Sequence, residues 1–291
     1  MTIASTAMNS RPTPQKNVQR AFDRAAQRYY DHCYALNRES LQQQSAGLLL
    51  QQLYRQHQPM AGGVKQLLDL GCGMGVHWPK LKALSEYYTG VDLSAQMISQ
   101  ARLRYPGEHS CTRWIVGDAQ AMPLQSGFAD RVFSNLALQW CADRQAVANE
   151  LYRVSKPGGV VHFSTLVAGS LTPLEHLVEL GLLPVLNNYP AAAKWQQHLL
   201  QAGFTQVQWQ QVEVATFHNS GTDLLRSMKN IGASQRQKHS PNRAAQGLRT
   251  PHWLQQVNAE LERYRQPQGI PLNYQVALVS ATKGSSKHLH L

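Results

Sequence analysis

Residues 65–75 read KQLLDLGCGMG, an apolar run closed by Asp69 and followed by glycines at 71, 73 and 75. Leu67, Leu68 and Leu70 predict a buried strand, and the glycines a turn at which backbone N–H groups can approach a ligand. Such a turn at the mouth of a parallel sheet is a place for a nucleotide-like molecule. The dinucleotide fingerprint spaces its glycines G-x-G-x-x-G; here the spacing is G-x-G-x-G, with Asp69 two residues ahead of the first glycine. Three further segments end in groups that could meet the same ligand. YYTGVDLS ends in Asp92 and Leu93, TRWIVGDAQ in Asp118 and Ala119, and ADRVFSNLALQW in Asn135, Leu136 and Trp140.

Four such ends must be gathered by one scaffold. Strand and helix signals alternate from residue 66 onward, and Ser94 stands where it would cap the helix AQMISQARLRY. DRQAVANELYRVSKPGG reads as a helix ended by Pro157, Gly158 and Gly159, with VVHFSTLV a strand after it. This alternation predicts an α/β fold, a doubly wound and mostly parallel sheet. Residues 1–16 are expected to be a disordered N-terminus and 17–60 a helical cap. The core is expected over 61–220, a helical lid insertion over 221–270, the last core strand over 271–284 and a tail over 285–291. An insertion of that length usually carries function.

Ligands of open α/β sheets bind at the carboxyl ends of the strands. An acid at Asp92 suits ribose hydroxyls in either NAD or S-adenosylmethionine, whereas Asp118 is better matched to an adenine amino group. Together the strand ends resemble the class I methyltransferase fold. DLGCGMG stands as its glycine motif, VDLS as its ribose-binding end and GDAQAMP as its adenine-binding turn; Met74 departs mildly from the common GCGTG. The resemblance implies S-adenosylmethionine as cosubstrate, held by Asp69, Gly71, Cys72, Gly73, Asp92, Leu93, Asp118, Ala119, Asn135 and Leu136.

A closer resemblance runs almost end to end. AFDRAAQRY at 21–29, QQSAGLL at 43–49, SNLALQWC at 134–141, STLVAGSL at 164–171, LLRSMKNIGA at 224–233 and PLNYQVAL at 271–278 are similar to the malonyl-[acyl-carrier protein] O-methyltransferase family. That family's activity would be methyl transfer to the free carboxylate of a malonyl thioester, early in biotin synthesis. A carboxylate is ionised near pH 7, so no catalytic base is expected. Tyr29, Asn135, Trp140, Arg226 and Lys229 are the candidates for positioning the substrate. A quinone-type small-molecule methyltransferase, a nucleic-acid-directed one and a non-enzymatic adaptor remain open alternatives.

Composition narrows the surroundings. The 291-residue chain is 43% hydrophobic and 15% charged, as expected of a globular protein. The N-terminus lacks the apolar stretch of a secretion signal, and the cytoplasm is the expected location, with no membrane partner. Cys33, Cys72, Cys111 and Cys141 are scattered, which argues against disulfides and a metal site. A net charge of +11 implies an anionic partner. The basic residues form no nucleic-acid signature, and the resemblance implies an acidic acyl-carrier protein. In 221–270 eight cations (Arg226, Lys229, Arg236, Lys238, Arg243, Arg249, Arg263 and Arg265) face three anions, so the insertion is the expected docking face.

Overall fold

A computed structural model describes residues 14–35, 40–56, 64–106, 110–184, 186–230 and 250–285. Seven strands form one sheet: β1 (Gln66–Leu70), β2 (Tyr87–Asp92), β3 (Thr112–Val116), β4 (Ala129–Asn135), β5 (Ser155–Leu166), β6 (Phe204–His218) and β7 (Ile270–Lys283). Their order is β3-β2-β1-β4-β5-β7-β6. The first five are mutually parallel, and β7 runs antiparallel between β5 and β6. Chain order reverses between β1 and β4, and a crevice opens at such a switch point, beyond the carboxyl ends of the strands.

The central strands are apolar because both of their faces are covered. One face packs Val132, Val161, Phe163 and Val279 against α5 (Arg144–Val154) and α7 (Ala192–Ala202). Phe163 meets the fully buried Trp195 of α7 edge-on, with centroids 5.1 Å apart. The other face carries Leu67, Phe133, Val276 and Leu278 beneath Leu49, Leu50 and Leu53 of α2 (Leu41–Gln56). Ser94 caps α4 (Ala95–Arg104) as expected, accepting the Met97 N–H at 3.1 Å. None of the described helices is long and apolar enough to cross a membrane.

Two local expectations are corrected. Helix α1 spans Pro14–Tyr30, so residues 14–16, expected to be disordered, are helical. Helix α5 stops at Val154, and Pro157 to Gly159 lie inside β5. There the register jumps from Ala129↔Ser155 to Arg131↔Val160, an irregularity that accommodates a proline in a paired strand. The glycine turn leads into the five-residue α3 (Trp78–Lys82).

Strands β6 and β7 pair along their lengths, from Phe204↔Lys283 to His218↔Ile270. The segment between them therefore leaves the sheet at one end and returns to the same end. Its described parts are α8 (Gly221–Asn230) and α9 (Pro251–Glu262), which pack on each other, and α8 also touches α1. Arg236, Lys238, Arg243 and Arg249 lie outside the described residues. Arg263 and Arg265 pair with Glu260 and Glu262, at 2.8 and 2.5 Å.

Candidate active site

The three alternate glycines all adopt left-handed backbone, with φ of +73°, +54° and +73°, a conformation that side chains disfavour. At Gly71 a Cβ would lie 2.2 Å from that of Ala137, whereas at Gly73 nothing stands within 4 Å. The N–H groups of the turn are already used. Those of Gly71 and Cys72 donate to the Val91 carbonyl at 2.7 and 3.1 Å, and that of Gly75 to Cys72 at 3.0 Å. The Gly73 N–H donates to Asp92 Oδ2 at 2.9 Å. The expectation of N–H groups aimed at a ligand fails at these four positions, because the turn is stitched to β2 instead.

Asp92 also accepts the Ser94 N–H at 2.8 Å. Its pKa is raised by burial, against the pull of these two donors. Asp69 is buried and accepts the Tyr88 hydroxyl at 2.7 Å; burial lifts its pKa to about 7, and nearby Asp92 adds to the rise.

A cleft runs along the carboxyl ends of β1 to β4, where ligands of open α/β sheets bind. Gly71, Gly73, Asp92, Leu93, Ala119, Asn135, Leu136 and Trp140 all line it, so the structure brings together most of the residues singled out in the sequence. Its roof is α1, which contributes Gln15, Val18 and Phe22. Phe22 meets Trp140 edge-on at 5.6 Å, and Ser94 Oγ donates to Asp23 Oδ1 at 2.5 Å, fastening the helix over the opening. Gln15 escaped the sequence reading because a lone glutamine next to a proline-rich start carries no signal. Its Nε2 donates to Asp118 Oδ1 at 3.3 Å, while its Oε1 is buried without a partner among the described residues. Asp118 is not among the lining residues, and its carboxylate also accepts the Gln120 N–H at 2.9 Å. The cleft therefore presents Gln15 and Ala119, and the Asp118 carboxylate props the glutamine.

A side chamber continues past Gly71, Gly73 and Asn135, and is lined by Asp69, Cys72 and His77. Asn135 lines both spaces but is heavily engaged. Its Nδ2 donates to Gln42 O at 3.1 Å, and its Oδ1 accepts from Ser45 and Ser164 at 3.0 and 2.8 Å. It ties α2 to the sheet, which weakens its reading as a substrate contact. Leu136 holds φ +49°, donating its N–H to Ser164 Oγ at 3.0 Å. That backbone costs a leucine ~1–3 kcal/mol, and strain of this kind gathers at functional sites. Arg226 is exposed on α8 and lines neither space. Tyr29 and Lys229 lie on α1 and α8, but their side chains fall outside the described residues.

Comparisons with known proteins agree with the fold. A family profile described as "Methyltransferase domain" covers residues 68–163. The biotin biosynthesis bifunctional protein BioHC of Cellvibrio japonicus is 31% identical over 213 residues, 72% of this chain. The chain spans only 41% of the length of that relative. The malonyl-[acyl-carrier protein] O-methyltransferase of Pectobacterium atrosepticum is 31% identical over 270 residues, 89% of this chain and 93% of that one. The chain belongs to the malonyl-[acyl-carrier protein] O-methyltransferase family. Among solved structures, phosphoethanolamine N-methyltransferase 2 of Haemonchus contortus, in complex with phosphomonomethylethanolamine and S-adenosylhomocysteine, superposes with a TM-score of 0.59. It is 18% identical, covers 94% of this chain and 61% of its own, and so shows a shared fold alone.

The malonyl-[acyl-carrier protein] O-methyltransferase family works with S-adenosylmethionine, and the residues present fit it. A pyrophosphate needs free N–H groups at the turn and a helix N-terminus behind it. Here four of those N–H groups are used internally, and the helix that follows has five residues. A cofactor without phosphates is the better match. Asp92 keeps lone pairs for ribose hydroxyls, and Gln15 Oε1 offers an acceptor at the adenine end. Among the described residues no group of three His, Cys, Asp or Glu is placed to hold a metal ion.

Proposed function

We propose that the chain transfers the methyl group of S-adenosylmethionine to the free carboxylate of a malonyl thioester on acyl-carrier protein, giving the methyl ester at an early step of biotin synthesis. The observation that carries this reading is the full-length similarity to the Pectobacterium enzyme, joined to a cleft whose turn leaves no pyrophosphate cradle. Asp69, Gly71, Cys72, Gly73, Leu93, Asp92, Ala119 and Leu136 are the proposed cofactor residues, with Asp118 acting through Gln15.

The bound cofactor supplies an electrophilic methyl on a positively charged sulfur. Attack of a malonyl carboxylate oxygen on that methyl would form a C–O bond and break the C–S bond, the sulfur keeping the electron pair, so the chain would have no proton to move. The residues then need only to align the reactants and exclude water. Alignment of this kind is worth up to ~7–11 kcal/mol. The roof of α1, with Val18 and Phe22 facing the cleft, is the water-excluding part. The carrier is acidic in this reading and docks by the basic insertion between β6 and β7, which acts as a lid beside the cleft.

Incubation with methyl-labelled cofactor and, in parallel, malonyl-carrier protein, a free malonyl thioester, a quinone precursor and RNA tests the proposal. Label is expected in the malonyl arms as a base-labile methyl ester. Label only in the quinone or RNA arm would overturn it.

A further inference from the structure

His77 lines the side chamber and carries a polar atom that nothing described so far uses. His77 closes the glycine turn just before α3, at a helix-capping position where its side chain makes no capping bond. The ring stands edge-on to Tyr34 and to Phe133, with centroids 5.9 and 5.7 Å away. Its Nε2 is buried and lacks a hydrogen-bond partner among the described residues. A buried polar atom left unpaired is costly and asks for an explanation.

The order of the strands says what arrives there. Along β3, β2 and β1 the cleft offers Ala119 for adenine, Asp92 for ribose and then the mouth of the chamber at Gly71 and Gly73. A cofactor lying in that order directs its amino-acid tail into the chamber. The tail is a zwitterion, and the chamber has a partner for each end. Asp69 is an acid facing the ammonium, and His77 is a donor left for the carboxylate. A lone malonyl carboxylate in the same space would meet Asp69 without a compensating cation. Burial, aided by Lys80, lowers the His77 pKa to about 4, so at neutral pH the ring is an uncharged N–H donor.

We propose that His77 Nε2 donates to the carboxylate of the cofactor's amino-acid tail and so selects tailed ligands over tail-less ones. This rests on the S-adenosylmethionine reading of the cleft.

Calorimetry with S-adenosylhomocysteine and with 5′-methylthioadenosine, which lacks the tail, tests it on the intact chain. His77→Leu is expected to weaken S-adenosylhomocysteine roughly ten- to a hundred-fold, as for a lost hydrogen bond to a charged group. Methylthioadenosine should bind wild type and variant alike. His77→Gln, which keeps an N–H donor, should recover part of the loss. Equal weakening of both ligands would mean that His77 only props the turn through Tyr34 and Phe133, and would overturn the proposal. So would unchanged S-adenosylhomocysteine binding. Should His77→Leu fail to fold, the wild-type ring decides: S-adenosylhomocysteine must shift its nitrogen resonances and methylthioadenosine must not. Wild type binding neither ligand would instead overturn the cofactor reading itself.

Discussion

Asp92 Oδ2 accepts the Gly73 N–H at 2.9 Å, so the end of β2 holds the turn that follows β1. One carboxylate thereby fixes the shape of the glycine turn and keeps its remaining lone pairs for a ribose. Asp92→Ala should lower S-adenosylmethionine affinity about ten- to a hundred-fold, as for a charge-assisted bond of ~1.5–3 kcal/mol. Unchanged affinity by calorimetry would remove Asp92 from the site.

Phe22 and Trp140 clamp α1 over the cleft. An edge-on aromatic pair is worth ~0.5–1.5 kcal/mol beyond its buried area. Phe22→Ala should therefore raise hydrogen exchange in 14–30 and speed cofactor release, leaving exchange in β4 and β5 unchanged. Identical exchange in the two proteins would show that the roof is held by other contacts.

His162 is fully buried on β5 with both ring nitrogens unpaired among the described residues. Burial, with Arg131 nearby, lowers its pKa to about 3. The unfolded chain takes up this proton below pH ~6.5 and the folded chain does not, so stability falls as pH drops from 6.5 towards 3, by at most ~1.4 kcal/mol per unit. His77, lowered to about 4, adds to the same acid slope. His162→Leu should flatten it in denaturant unfolding at pH 7.5, 6.5, 5.5 and 4.5; an undiminished slope would refute the assignment. Asp69 has the opposite sign. Its folded pKa of about 7 lies above its unfolded value of 3.8, so its contribution is lost as pH rises through that window. Asp69→Asn should gain stability relative to wild type at pH 8, since the Tyr88 hydroxyl can still donate to the amide oxygen.

Arg236, Lys238 and Arg243 carry the proposed docking charge. Reversing all three to Glu should raise KM for malonyl-carrier protein and spare turnover of a short malonyl thioester, with the difference shrinking as salt rises. Equal losses on both substrates would place the docking face elsewhere.

The sequence by itself determined the scaffold and the strand ends. Alternating apolar runs and amphipathic segments admit a doubly wound sheet. Glycines at 71, 73 and 75 marked a turn after the first strand, and each of them occupies positive φ in the fold. Asp92, Leu93 and Ala119 were legible because a strand end places its next residues in the crevice whatever else happens. Tertiary structure decided the rest. Gln15 entered the cleft because α1 folds back across the sheet, a contact with Asp118 over a hundred residues away. Asn135 became a tie to α2 through Gln42 and Ser45. The turn's N–H groups were taken by Val91 and Asp92, and His77 was left facing a chamber shared with Asp69. Periodicity and spacing describe a chain along its own length. Which donor finds which acceptor depends on distances between segments that no local pattern encodes.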